Sequence, residues 1–355
     1  MSGGRFWLLL ATIGGLVVAG FMLSATGMDK VLEIIGRFGV GGFLAYCAYS
    51  LGTVALLGGA WASAAPPLGI RATFLLFGWA RLVREAAADV LPFSQVGGLV
   101  IGIRLLIARR ISAPLVNASV LVDLATEMAA QVVFTLFGIA GFVVLRSGGT
   151  DPDTLMTPII IGTLVMTGLM AAFFLAQSRM LRVAEVLLER MLPAVSGGIA
   201  DARAELARIY AQPTRVALAL AFNLAAWVAS AAGAWIALEL MGVKLPLVTV
   251  LVMESLIFVL RSVAFALPGA IGVQEVAYVL LGPLLGLPAE EALALSLAKR
   301  ARDLAIGIPA LVAWQASEAR ALSATRSSPA QRWLRQNCAV KPIAEQARTK
   351  GEERK

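Results

Sequence analysis

Four charged residues, Arg81, Arg84, Glu85 and Asp89, stand in a chain so apolar that each needs a reason. At 3.6 residues per turn they share one side of a helix, and Arg81 and Glu85 have the spacing of an ion pair. Asp123, Glu127 and Gln131 recur at four-residue intervals and form a second polar stripe. Glu254 and Arg261 make a third set, and Gln274 and Glu275 a fourth. Lys299, Arg302 and Asp303 make a fifth, with Ser296, Lys299 and Asp303 along one face. Arg104 adds a cation to a short apolar run. A charge at mid-membrane costs at least about 2.5–3.5 kcal/mol on insertion-based scales, so such groups face a wet cavity or a partner.

Three kinds of work suit these groups. Cations and carboxylates around a groove can solvate a polar lipid headgroup. Asp89, Asp123, Glu127 and Glu275 can carry protons where burial raises their affinity for them. Paired carboxylates such as Asp123 and Glu127 can serve acid–base catalysis. A purely structural role competes with all three: Arg84 or Arg261 neutralising Glu85, Asp123 or Glu254 across a helix bundle. Asp123 and Glu127 also fit a helix end at headgroup level.

Composition narrows the field. Of 355 residues 59% are hydrophobic and 15% charged, with a mean hydropathy of +0.82. That is the composition of a polytopic α-helical membrane protein. The chain has no histidine, which removes His-based metal sites, Ser-His triads and His proton relays. Two cysteines, Cys47 and Cys338, cannot make a disulfide framework. No metal, no cofactor and no catalytic residue is expected, and the chain is not expected to be an enzyme. The phosphate-loop pattern G-x-x-x-x-G-K-[ST] does not occur. The net charge of +8 sits in short loops and a tail, as the positive-inside rule expects, so it does not imply nucleic acid.

The elements that must position the charges follow from apolar runs and breaks. Arg81–Arg110 reads as a charged helix, a Leu91-Pro92 break, a Gly97-Gly98 turn and an apolar return too short to cross a bilayer. Val248–Leu287 repeats that layout: Glu254 and Arg261 on a helix, then Pro268, Gly269 and Gly272, then Gln274-Glu275 and a short return. Both read as re-entrant hairpins, which survive at depth only inside protein or beside a wet cavity. Full spans are expected at Phe6–Ala25, Gly39–Ala62, Pro114–Leu145, Leu155–Ala176, Val216–Met241 and Glu291–Trp314. The first is expected to be a retained span rather than a cleaved signal peptide. Thr26–Phe38 reads as a short mixed-charge loop. Residues 177–215 read as a cytoplasmic interfacial segment broken by Pro193 and Gly197-Gly198, and 318–355 as a basic, disordered tail.

Charge then sets orientation. Arg109-Arg110, the arginines between 179 and 215 and the tail belong in the cytoplasm, and residues 147–153 outside. The expected fold is therefore all-α: about six transmembrane helices plus two re-entrant hairpins, with both termini inside. Residues 39–145 and 216–314 come out antiparallel, an inverted repeat within a membrane domain of residues 1–317. Acidic Asp123 and Glu127 of one half and basic Lys299 and Arg302 of the other come near a shared interface. Paired broken segments in two halves point to a transporter's binding region.

Leu91-Pro92 with Gly97-Gly98 before an Arg-containing helix, and Gly272-Val273-Gln274-Glu275, resemble the flippase-like membrane family. That family is related to the transmembrane region of lysylphosphatidylglycerol synthases, and the likeness runs from about Phe6 to Ser317. The chain looks most like the hopanoid-biosynthesis-associated (HpnL-like) branch. The resemblance implies a bacterial inner-membrane protein that moves or places a phospholipid or hopanoid-type lipid. Leu99 stands where family members often carry an acid, and no soluble transferase domain is expected beside the spans. Lipid movement rather than lysyl transfer is therefore expected. A scaffold that recruits lipid-biosynthesis enzymes through the tail and interfacial helix, and an intramembrane headgroup-modifying enzyme, are the alternatives.

Overall fold

The structure is a computed structural model that describes residues 28–65, 70–90, 94–146, 193–263 and 272–326. Among the described residues all regular structure is helical: α1 Met28–Ser63, α2 Ile70–Val90, α3 Ser94–Ala108, α4 Ala113–Arg146, α5 Pro193–Tyr210, α6 Pro213–Leu240, α7 Leu247–Val263, α8 Val273–Leu284 and α9 Ala289–Arg326. The chain divides between Ile308 and Pro309 into two units, and the charged groups treated below all lie in the first.

Among the described residues three helices are long and apolar enough to cross a membrane, over Glu33–Ser63, Ala113–Leu145 and Pro213–Leu240. They coincide with the second, third and fifth expected spans. The spans expected at 6–25 and 155–176 lie outside the described residues. The last expected span is helical as α9, but Lys299, Arg300, Arg302 and Asp303 make it too polar to qualify on apolarity alone. Gly97–Ala108 and Val273–Leu284 are apolar helices shorter than the roughly 20 residues a crossing needs.

Several boundaries differ from the sequence reading. From Met28 the expected loop is helical, because Ile34 and Phe38 recur one turn apart and bury themselves in the core. Glu33 and Arg37 pair at 2.8 Å on the outer face. The true break is Gly39, whose φ of 61° a side chain would oppose. Gly97 and Gly98 do not form a turn; both lie inside α3. A Cβ on Gly98 would come within 2.4 Å of the Arg84 carbonyl oxygen, so this glycine lets α3 lie directly on α2. Pro92, Pro268 and Gly269 lie outside the described residues. Gly272, with φ 84°, caps the start of α8.

Pro193 opens α5, but Gly197-Gly198 do not break it. The helix turns Ala202, Leu206 and Ile209 inward, the last two against Ala64, Ala118 and Val122. The tail was expected to begin at Glu318, yet α9 runs on to Arg326.

The main core joins α1, α6, α7, α8 and α9 through Phe38, Tyr46, Leu238, Met253, Tyr278 and Leu293. Small residues let these helices approach closely. A Cβ on Gly58 would lie 2.5 Å from Gly78 Cα, and one on Gly141 2.4 Å from Val252 Cγ2. The result brings α2, α4, α7 and α9 around one interior space.

Candidate functional site

The first charged cluster joins α2 to α4. Arg81, with no exposed surface, donates from Nη1 to Asp123 Oδ2 at 2.8 Å and from Nη2 to Glu127 Oε1 at 2.7 Å. Arg84 repeats the pattern one turn on, reaching the same Asp123 oxygen at 2.8 Å and Glu127 Oε2 at 3.2 Å. Arg81 Nε lies 2.8 Å from Glu85 Oε1, close enough for an ion pair but not aligned as a hydrogen bond. The four-residue spacing of Asp123 and Glu127 presents both acids to two arginines on the facing helix. The forked guanidiniums bridge the two carboxylates, a geometry an ammonium cannot supply. Arg84 also lies 5.8 Å from the Trp61 ring centroid, and Trp61 Nε1 donates to Ser119 at 3.1 Å.

The second cluster joins α7, α8 and α9. Lys299 Nζ donates to Glu254 and, at 2.8 Å, to the Tyr278 hydroxyl, while that hydroxyl itself donates to Glu254. All three are buried. Arg302 pairs with Asp303 on its own helix and donates to the Tyr46 hydroxyl at 3.2 Å. The two clusters mirror each other in element order with signs exchanged. In the first, the helix before the break carries the cations; in the second, that helix carries the acid.

Between the clusters lies a cavity of about 200 Å³. Glu85, Asp89 and Glu127 line it from the first half, and Arg261, Lys299, Arg302 and Asp303 from the second. Ser50, Thr53, Trp227, Ser230 and Phe258 complete its polar and aromatic wall. Its size admits on the order of ten waters or a small polar group. Charged residues from both parts of the sequence thus line one cavity, and the ion pairs named above each lie within one part.

Not every expected residue joins this space. Arg104 is exposed on α3. Gln274 donates to the Ser296 hydroxyl at 3.0 Å and locks α8 against α9. Glu275 accepts from the Gly272 backbone N–H at 2.8 Å, capping α8, and meets Arg300 at 3.2 Å. Both are buried helix-fixing groups and neither lines the cavity. Conversely, Tyr46, Tyr278, Trp227 and Phe258 carry site geometry that the charge pattern does not reveal. The available signal was weak: a tyrosine hydroxyl or indole N–H inside an apolar run needs a partner. Among the described residues no three of His, Cys, Asp or Glu gather to hold a metal ion.

Over residues 7–310 the chain matches the family described as lysylphosphatidylglycerol synthase TM region. The chain belongs to that family. Membership makes it an integral membrane protein related to lipid metabolism, as its apolar helices also indicate. Comparison with curated proteins and with solved structures found no match. Residues 7–310 include both charged clusters and the whole cavity wall.

Proposed function

We propose that this member of the lysylphosphatidylglycerol synthase TM family moves a polar-headgroup lipid between leaflets, or passes one on toward another membrane. The observation that carries the reading is the cavity, charged from two halves yet enclosed by apolar helices. A headgroup can be solvated there while its acyl chains stay in lipid. Helices with this much exposed apolar surface, including Val40, Leu75 and Val312, suit a hydrocarbon surround. The cargo is a phospholipid or, as the likeness to the hopanoid-associated branch suggests, a hopanoid-type lipid with a polar headgroup.

The reading includes an arrangement. The exchanged signs of the two clusters support an inverted repeat of about six spans and two re-entrant hairpins in the bacterial cytoplasmic membrane, with both termini inside. Most of the cavity's charges are held in ion pairs, chiefly by residues behind its wall, which favours binding over turnover, so the chain acts without chemical change to the lipid. The sequence offers no nucleotide-binding loop. Movement then runs downhill, on an ion gradient, or on work done by a partner such as a lipid-biosynthesis enzyme.

Purified protein in liposomes containing acyl-labelled lipids tests this directly. Accelerated exchange of lipid between leaflets is expected. A chemically altered lipid would replace transport with catalysis, and an inert protein would leave a scaffold.

A further inference from the structure

Seven charged side chains line the cavity, and five are held in ion pairs: Glu85, Glu127, Lys299, Arg302 and Asp303. Asp89 on α2 and Arg261 on α7 make no ion pair or hydrogen bond among the described residues. They carry opposite charges, come from different halves and lie within Coulomb range of each other, yet do not close into a pair. The guanidinium of Arg261 sits 5.7 Å from the Phe258 ring centroid, and Trp227 packs edge-on against the same ring. Among the described residues the buried Trp227 indole N–H has no acceptor. The cavity thus offers an unpaired guanidinium and an unpaired carboxylate.

Partly buried charges left without partners cost free energy, and a bound group of opposite sign relieves that cost. A purely anionic headgroup would satisfy Arg261 and leave Asp89 facing a like charge. An uncharged one would leave both. We infer that the cavity recognises a zwitterionic phospholipid headgroup, its phosphodiester taken by Arg261 and its primary ammonium taken by Asp89. This rests on the lipid-moving reading and names the lipid class. It also gives the two halves a joint task, since neither holds both poles alone.

The test uses the full-length protein in detergent with short-chain lipids of identical tails, followed by proteoliposomes. In detergent, phosphatidylethanolamine is expected to raise the melting temperature at lower concentration than phosphatidylglycerol or a net-cationic aminoacyl phosphatidylglycerol. Loss of one charge-assisted hydrogen bond weakens binding on the order of tenfold, so Asp89→Asn should lower apparent affinity for the ethanolamine lipid by that factor and spare the glycerol lipid. Arg261→Gln should weaken both. Asp89→Glu keeps the pole and should keep the preference, which separates recognition from misfolding if Asp89→Asn accumulates poorly. Equal stabilisation by all three lipids, or an Asp89→Asn protein with the wild-type preference, overturns the inference. In liposomes, faster exchange of the ethanolamine lipid supports it, and exchange of all three at one rate overturns it while leaving lipid movement intact. Selective stabilisation without exchange keeps the zwitterion site and removes the transport reading.

Discussion

Arg81 on α2 donates to Asp123 on α4 at 2.8 Å with neither side chain exposed. The contact fixes α2 to α4, and Arg84 and Glu127 complete a four-residue lattice around it. Removing one member of a buried pair leaves an uncompensated charge, a loss of about 3–5 kcal/mol. Asp123→Asn should therefore lower thermal stability in detergent sharply, and Arg81→Met should do the same. The combination Arg81→Met with Asp123→Leu should lose less than the sum, because the charges leave together. Additive losses in the melting curves would mean that the two residues act independently.

Lys299 sets up a different outcome, since it both holds Glu254 and faces the cavity. Lys299→Met should destabilise by about 3–5 kcal/mol by stranding Glu254. Pairing it with Glu254→Leu should return much of the stability, as apolar replacement of a whole buried pair commonly does. Lipid exchange should not return with it, because the cavity wall has lost a charge. Full exchange by the double variant would make this pair a brace only.

Two adjacent glycines test how the hairpin is built. A Cβ at Gly97 would meet nothing within 4 Å, whereas one at Gly98 would strike the Arg84 backbone. Gly97→Ala should be neutral or stabilising by up to about 1 kcal/mol, since alanine favours helix. Gly98→Ala should cost about 1–3 kcal/mol through overpacking, and should disturb Arg84 and its ion pairs as α2 is pushed away. Melting temperatures of the two variants should move in opposite directions or differ clearly. Equal effects would separate α3 from α2.

These contacts show what the sequence makes visible. Pairing of Arg81 with Glu85 is legible because helical spacing alone sets it. That Asp123 and Glu127 need cations is legible too, from the cost of burying acid in apolar surroundings. Which cation each takes is not. Glu254 was a candidate partner for Arg261, yet it binds Lys299, a choice made by how α7 and α9 pack. Tyr278 and Tyr46 went unread because a hydroxyl leaves no periodic trace. The roles of Gly98 and Glu275 are close packing and helix capping. Both depend on neighbours that a charge pattern does not name, although a carboxylate three residues after Gly272 is a known capping spacing. The helix over residues 28–38 was read as a loop because its charges outweighed the one-turn recurrence of Ile34 and Phe38.

Topology is the prediction on which the inverted repeat depends. With Cys47 and Cys338 replaced by serine, single cysteines can be placed one at a time. Arg208, exposed on α5, belongs to the arginine-rich segment expected in the cytoplasm. A cysteine there should be shielded from impermeant thiol reagents in intact cells and labelled after lysis. A cysteine at Gly149 should be labelled without lysis. The hairpins give the stricter condition: small hydrophilic reagents should reach Ser94→Cys from the cytoplasmic side and Ala270→Cys from the opposite side. On the proposed inverted repeat, α2–α3 and α7–α8 would occupy equivalent places in halves of opposite orientation, a reading that the exchanged signs of their clusters support. Reaction of both sites from one side would make the halves parallel. The cavity would then not be the meeting point of two inverted hairpins, and alternating access by rocking one half against the other would lose its structural basis.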